Sequence, residues 1–225
     1  MQRTPEPELM DEFDQARAYA AADFAEPNER FVGYCEAEPG FPARGAVLDL
    51  GCGPGDIVLR LARRRLGLTV HGLDGSAAML RFAADSLARE PALQSRVQFV
   101  HGVLPGVALP LSRYDAIVSN SLLHHLHDPG VLWNAIRETG APGAVVVVMD
   151  LFRPPSPGAA QEIVDAYAGG EPEVLRRDFY NSLCAAFEPD EVRAQLDACG
   201  LGGLGGLGVR TVSDRHLLVA GRLPG

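Results

Sequence analysis

The segment Ala46–Leu50 runs straight into Gly51–Cys52–Gly53–Pro54–Gly55–Asp56, and a stretch with Ile57, Val58 and Leu61 on one side follows. A short apolar run closed by glycines reads as a buried strand and a tight loop, and the spacing beyond it as a helix over 56–65. The same alternation recurs along the chain. Strands are expected at 69–73, 97–100, 114–119 and 144–149, and helices at 76–89, capped by Ser76, and at 129–139. The valine run Val145–Val148 suits a strand covered on both faces. Strands alternating with helices mean right-handed crossovers and a mainly parallel sheet.

Either end departs from this rhythm. Residues 8–36 read as helical, with Asn28 starting a second helix. Residues 152–187 carry Pro154, Pro155 and Pro157, a helix near 159–168 and the aromatic pair Phe179–Tyr180. That is long for a plain connection and reads as a cap over a site. A helix over 188–199, capped near Asp190, leads to the glycine tract 200–208. Beyond it, 209–221 reads as a strand, a turn around Ser213–His216 and an antiparallel strand. The expected organisation is one domain: an N-terminal helical lid (1–43), a ligand-binding core (44–151), the cap (152–187) and a closing unit (188–225).

Composition narrows the partners. The chain has 225 residues and a formal net charge of −9, and it contains no Lys. An acidic surface repels phosphate backbones, so nucleic acid and anionic membrane are poor partners. No apolar run reaches the roughly 20 residues that a membrane span needs. The four cysteines form no CxxC pair, and Met1–Glu8 is polar with no apolar signal region, so the expectation is a soluble, cytoplasmic protein.

Glycines at alternate positions let the backbone turn sharply and let a ligand approach, while the following helix points its N-terminus at that ligand. A dinucleotide site wants G-x-G-x-x-G. Here the third glycine position is Asp56, whose charge opposes a pyrophosphate. The spacing present is G-x-G-x-G preceded by Asp49. Asp74 ends the next strand, placed to accept two ribose hydroxyls. Further on stand Gly72–Met79, Tyr114–Asp128 with its run Leu122–Leu–His–His–Leu–His127, and Ala141–Pro–Gly143 before the valine run.

In this order and spacing, residues 44–152 resemble the class I S-adenosylmethionine-dependent methyltransferases, small-molecule type. The resemblance implies a Rossmann-like, doubly wound, seven-stranded sheet with an antiparallel last strand, and helical caps from the N-terminus and after the fifth strand. It implies S-adenosylmethionine as cofactor, held by Asp49, Gly51, Cys52, Gly53, Asp74, Gly75, Met79, Gly102, Val103, Leu104, Asn120 and Ser121, with Tyr19 as a lid residue. One position departs from the family pattern. Where an Asp often takes the adenine amino group, this chain has Val103, which leaves backbone groups and apolar packing to hold the ring.

The transfer is an in-line displacement that needs a nucleophile held behind the methyl group and water kept out. His125 is the first candidate for a base facing the acceptor and His124 the second; packing around the cofactor loop is the competing role for both. Arg153 and Tyr180 are candidate substrate contacts, with a structural ion pair as the alternative for Arg153. His124, His127 and Asp128 lie close in sequence, but without a second ligand cluster no metal is expected. Two rival readings stay open: a non-catalytic module binding S-adenosylmethionine or S-adenosylhomocysteine, and an NAD-dependent oxidoreductase on the same fold. The expected partner is a small-molecule methyl acceptor.

Overall fold

The computed structural model describes residues 1–9, 13–203 and 205–225, without the side chains of residues 13–15. Residues 10–12 of the expected first helix and Leu204 of the glycine tract lie outside the described residues. The elements are α1 (Phe13–Ala21), α2 (Ala25–Ala37), β1 (Arg44–Leu50), α3 (Asp56–Arg64), β2 (Gly67–Asp74), α4 (Ala77–Ala88), β3 (Val97–His101) and β4 (Tyr114–Asn120). A 3-10 turn (Leu123–His125), α5 (Gly130–Thr139), β5 (Gly140–Leu151), α6 (Pro157–Ala168), α7 (Glu173–Ala185), α8 (Pro189–Ala198), β6 (Gly208–Thr211) and β7 (His216–Arg222) complete the chain.

The seven strands form one sheet in the order β3-β2-β1-β4-β5-β7-β6. Strands β1 to β5 are parallel, and β7 runs antiparallel to both β5 and β6. The expected Rossmann-like sheet with an antiparallel last strand is therefore present. Strand β5 shows why both faces need cover. Val145, Val147 and Met149 enter one core with Phe31 of α2 and Val58 and Leu61 of α3. Val146 and Val148 enter the other, with Leu132, Trp133 and Ile136 of α5 and Leu196 of α8. Period-two alternation between two cores is what a doubly covered strand requires.

Several element edges differ from the sequence expectation. Glu8 and Leu9 are not helical. Helix α2 begins at Ala25, ahead of Asn28. Pro27 is tolerated there because the first-turn N–H groups have no intrahelical acceptor. Asn28 does not cap; its amide donates to Asp56 Oδ2 at 2.9 Å. Helix α8 is capped as expected just before Asp190, by Glu188, whose backbone N–H meets Glu191 Oε2 at 2.7 Å. The cap holds two helices where one was expected. α6 and α7 pack through Ala160, Val164 and Leu183 into a small core of their own.

This topology fixes where a ligand sits. The strand order reverses between β1 and β4, and the carboxyl ends of β1, β2, β4 and β5 open on one edge. Ligands of open parallel sheets bind at such a switch point.

Candidate active site

The glycine loop follows β1 at that switch point. Gly51 N–H and Cys52 N–H both donate to the Leu73 carbonyl, at 2.8 and 3.0 Å, which folds the loop against the end of β2. Gly53 has φ +52°, and a Cβ there would meet nothing within 4 Å. Gly55 has φ +82°, and a Cβ there would stand 2.6 Å from the Phe99 ring. The two left-handed glycines thus serve different ends: Gly53 opens space, and Gly55 lets α3 pack on β3. Asp74 is aimed across this space. Its Oδ2 accepts from Gly53 N–H at 2.7 Å and its Oδ1 from Ser76 N–H at 2.8 Å. A carboxylate oxygen can accept more than one hydrogen bond. Ser76 also caps α4, its Oγ accepting from Met79 N–H.

A cavity of about 730 Å³ begins here, lined by Gly51, Gly53, Asp74, Gly75, Met79, Gly102, Val103 and Leu104 at one end. Val103 is 53% exposed, an apolar side chain left uncovered at the rim. Tyr19 and Phe24 stack at 4.7 Å over the loop, and burial beside Asp74 and Asp150 pushes the Tyr19 hydroxyl up to about 12. Asn120 and Ser121 bring the end of β4 to the cavity, with Ser121 at φ +59°. A non-glycine residue in that region stores backbone strain, which concentrates at functional positions.

Two acceptor groups here lack donors. Among the described residues, neither oxygen of the fully buried Asp49 carboxyl has a hydrogen-bond partner, nor does Asn120 Oδ1. Burial, and after it the charge of Asp74, holds the Asp49 carboxyl well above the usual carboxylate range. Cys52 is buried beneath the loop, its Sγ against Gly72, and burial also raises its thiol.

The far end of the cavity is built from the 3-10 turn, the cap and residues 1–9. Asp150 Oδ2 accepts from Leu123 N–H at 2.7 Å, and Asp150 Oδ1 lies 2.5 Å from His124 Nδ1. Glu6 reaches this corner from the N-terminal segment, which lies across the turn. Arg3 donates to the carbonyls of His124 and Leu126, both at 3.0 Å, and stacks 3.9 Å over Phe187. Glu6 Oε1 accepts from Ser182 Oγ at 3.0 Å and stands 3.5 Å from His124 Nε2 and 3.3 Å from His125 Nδ1.

Burial lowers the proton affinity of His124, but Asp150 and Glu6 outweigh it and leave the ring above its ordinary value. His125 lacks a contact like the 2.5 Å one that Asp150 makes with His124. Burial, then the neighbouring His124, drives it down to about 3, so it is a neutral imidazole. Burial raises the Glu6 carboxyl, partly offset by His124. Nothing in Met1–Glu8 signals this role, and sequence reading missed Glu6.

The cap contributes Leu175, Asp178, Phe179 and Ser182, one stripe of α7, with Tyr167 and Ala168 of α6. Tyr180 projects from a different side of α7 and, among the described residues, is not part of the lining. Arg153 is likewise placed elsewhere. Its guanidinium holds the Met1 and Ala186 carbonyls and the carboxylates of Glu188 and Glu191, at 2.9–3.0 Å. These contacts tie the N-terminal segment and α8 to the end of β5. Neither of these candidate substrate contacts lines the cavity: helix phase turns Tyr180 away, and Arg153 takes the structural ion pairing given as its alternative role.

Comparison with known proteins agrees with this architecture. Residues 47–143 match a family described as a methyltransferase domain. An uncharacterized methyltransferase of Mycobacterium bovis is 27% identical over 178 residues, 79% of this chain and 87% of the other. A ubiquinone biosynthesis O-methyltransferase of Psychrobacter cryohalolentis is 33% identical over 112 residues, 48% of this chain and 42% of the other. A SAM-dependent methyltransferase structure from Aquifex aeolicus superposes with a TM-score of 0.66 at 16% identity, over 94% of this chain and 98% of that one. Together with the glycine loop, the acid beyond β2 and this strand order, the methyltransferase-domain match and the shared fold support the class I S-adenosylmethionine-dependent methyltransferase superfamily, with S-adenosylmethionine as cofactor.

Proposed function

We propose that the protein moves a methyl group from S-adenosylmethionine to a small-molecule nucleophile. The observation that carries this reading is one continuous cavity, running from the glycine loop and Asp74 to His124, His125 and the cap helices. The orphaned acceptors Asp49 and Asn120 fit an ammonium group, which supplies the donors they lack. Asp74, with both oxygens already oriented, fits a ribose diol. Val103, Leu104, Gly75 and Met79 fit an adenine ring through apolar contact and backbone groups. When bound, the cofactor supplies an electrophilic methyl on a sulfonium.

The chain's own residues do the rest. Tyr19 and Phe24 cover the loop and keep water out. The α7 stripe and Tyr167 shape the acceptor space. Among the described residues Glu8, Glu171 and Asp178 line the cavity, while the one lining arginine, Arg215, is held over Tyr167 at 3.3 Å and on Asp214. That balance suits an uncharged or cationic acceptor better than an anionic one. The corner of Glu6, His124 and His125 is where an acceptor carrying a proton gives it up. The Psychrobacter relative is named for O-methylation in ubiquinone biosynthesis, in keeping with a small oxygen acceptor.

The test uses methyl-labelled S-adenosylmethionine with panels of phenols, amines and thiols. Label in an acceptor and equimolar S-adenosylhomocysteine are expected. Tight binding of S-adenosylhomocysteine with no transfer to any panel member would replace this reading with the non-catalytic module.

A further inference from the structure

We propose that Glu6, His124 and His125 bind one divalent transition-metal ion at the wall of the acceptor cavity. The three ligand atoms lie within 4.8 Å of one another. Glu6 Oε1 stands 3.5 Å from His124 Nε2 and 3.3 Å from His125 Nδ1. Ligands at zinc-type bond lengths in a tetrahedral shell sit roughly 3.4 Å apart, so an ion fits with little movement of these side chains.

The pattern of surrounding contacts supports a cation. His125 Nδ1 is buried with no hydrogen-bond partner among the described residues, and it faces a carboxylate oxygen of Glu6. His124 commits Nδ1 to Asp150 and turns Nε2 toward the same oxygen. With His124 neutral, three lone-pair atoms converge, and among the described residues the donor bonded to one of them is the Ser182 hydroxyl.

His124 is also oriented from behind, by Asp150 on its other ring nitrogen. Metal sites set the angle and tautomer of their ligands in this way. Two imidazoles and one carboxylate favour zinc, cobalt, nickel or iron over calcium or magnesium, which take oxygen shells. Because His124 and His125 line the cavity, the remaining coordination positions open toward the acceptor.

Resting on the proposed methyl transfer, this site selects acceptors with an ionisable O–H or S–H. The acceptor proton passes to water, and its electron pair stays on the oxygen or sulfur bound to the ion, ready to attack. The site itself stands apart from that reading.

The experiment is equilibrium dialysis of chelator-treated full-length protein against Zn²⁺, with Co²⁺ as the optical probe. One Zn²⁺ per chain, visible Co²⁺ absorption bands and a Zn²⁺-dependent rise in Tm are expected. Glu6→Gln and His125→Gln should each weaken Zn²⁺ binding at least tenfold. Asp128→Asn, at an exposed side chain that accepts from Gly130 N–H outside the cluster, should leave it unchanged. No stoichiometric binding at micromolar Zn²⁺, or binding equally strong in both cluster variants, overturns the proposal. Circular dichroism of each variant checks folding, and if Glu6→Gln fails to fold, His125→Gln and the wild-type Co²⁺ spectrum still decide. S-adenosylhomocysteine affinity of the metal-free protein is measured alongside. Its absence counts against the methyltransferase reading and leaves the metal site standing.

Discussion

Replacing Gly53 and Gly55 by alanine, one at a time, separates binding from stability within one loop. Both residues hold left-handed φ angles, +52° and +82°, which cost an alanine about 1 kcal/mol. At Gly53 the new methyl meets nothing within 4 Å, so the loss of stability should stop near that figure. At Gly55 it lies 2.6 Å from Phe99 Cζ and 3.0 Å from Ala83 Cβ. Overpacking of this kind adds about 1–3 kcal/mol, for a total of about 2–4 kcal/mol. Affinity should follow the opposite order. The Gly53 methyl enters the space reserved for the cofactor and should raise the Kd for S-adenosylhomocysteine at least tenfold, or about 1.4 kcal/mol. Gly55→Ala, while folded, should bind within a few-fold of wild type. Chemical denaturation at constant m-value gives the first quantity and titration calorimetry the second. Equal destabilisation in the two variants, or wild-type affinity in Gly53→Ala, refutes the assignment of Gly53 to the ligand and Gly55 to packing.

Two further outcomes follow from buried ionisable groups. Asp49 is held in its neutral form by burial, and an ammonium partner favours the charged form, so cofactor binding should release a proton and tighten as pH rises. Calorimetry in two buffers of different ionisation enthalpy measures that proton, and Asp49→Asn should abolish it. His216 is depressed to about 4, mainly by burial and then by Arg215. The unfolded chain binds a proton below pH 6.5 that the folded chain refuses, so stability falls as pH drops from 6.5 toward 4. The slope approaches about 1.4 kcal/mol per pH unit. Denaturation at pH 7 and pH 5 should show about 2 kcal/mol less loss in His216→Gln than in wild type.

What could be read in the sequence was local. The valine run announced β5, alternate glycines announced the loop, and Asp74 at the tip of β2 announced the ribose carboxylate. Each is a short-range pattern whose meaning comes from period or spacing. What escaped was assembled over long sequence distances. Glu6 meets His124 only because residues 1–9 cross the sheet edge, and no spacing encodes that crossing. For Arg153 the sequence left substrate contact and ion pair both open, because its partners, Met1, Glu188 and Glu191, stand far away in the chain. Helix α7 was within reach: Leu175, Asp178, Phe179 and Ser182 carry helical spacing, but the prolines before them drew attention to a loop.

The place of β7 in the sheet bears on how the protein is made. Its residues 216–222 pair with 145–151 of β5, so synthesis must run about 70 residues beyond β5 before that strand gains its second neighbour. Until then an open row of amide and carbonyl groups flanks Val145–Val148, a segment with high strand propensity and no charge. Nascent chains, or chains clipped before His216, therefore offer a ready template for intermolecular pairing. Yield in the cell will depend on how quickly that last strand arrives.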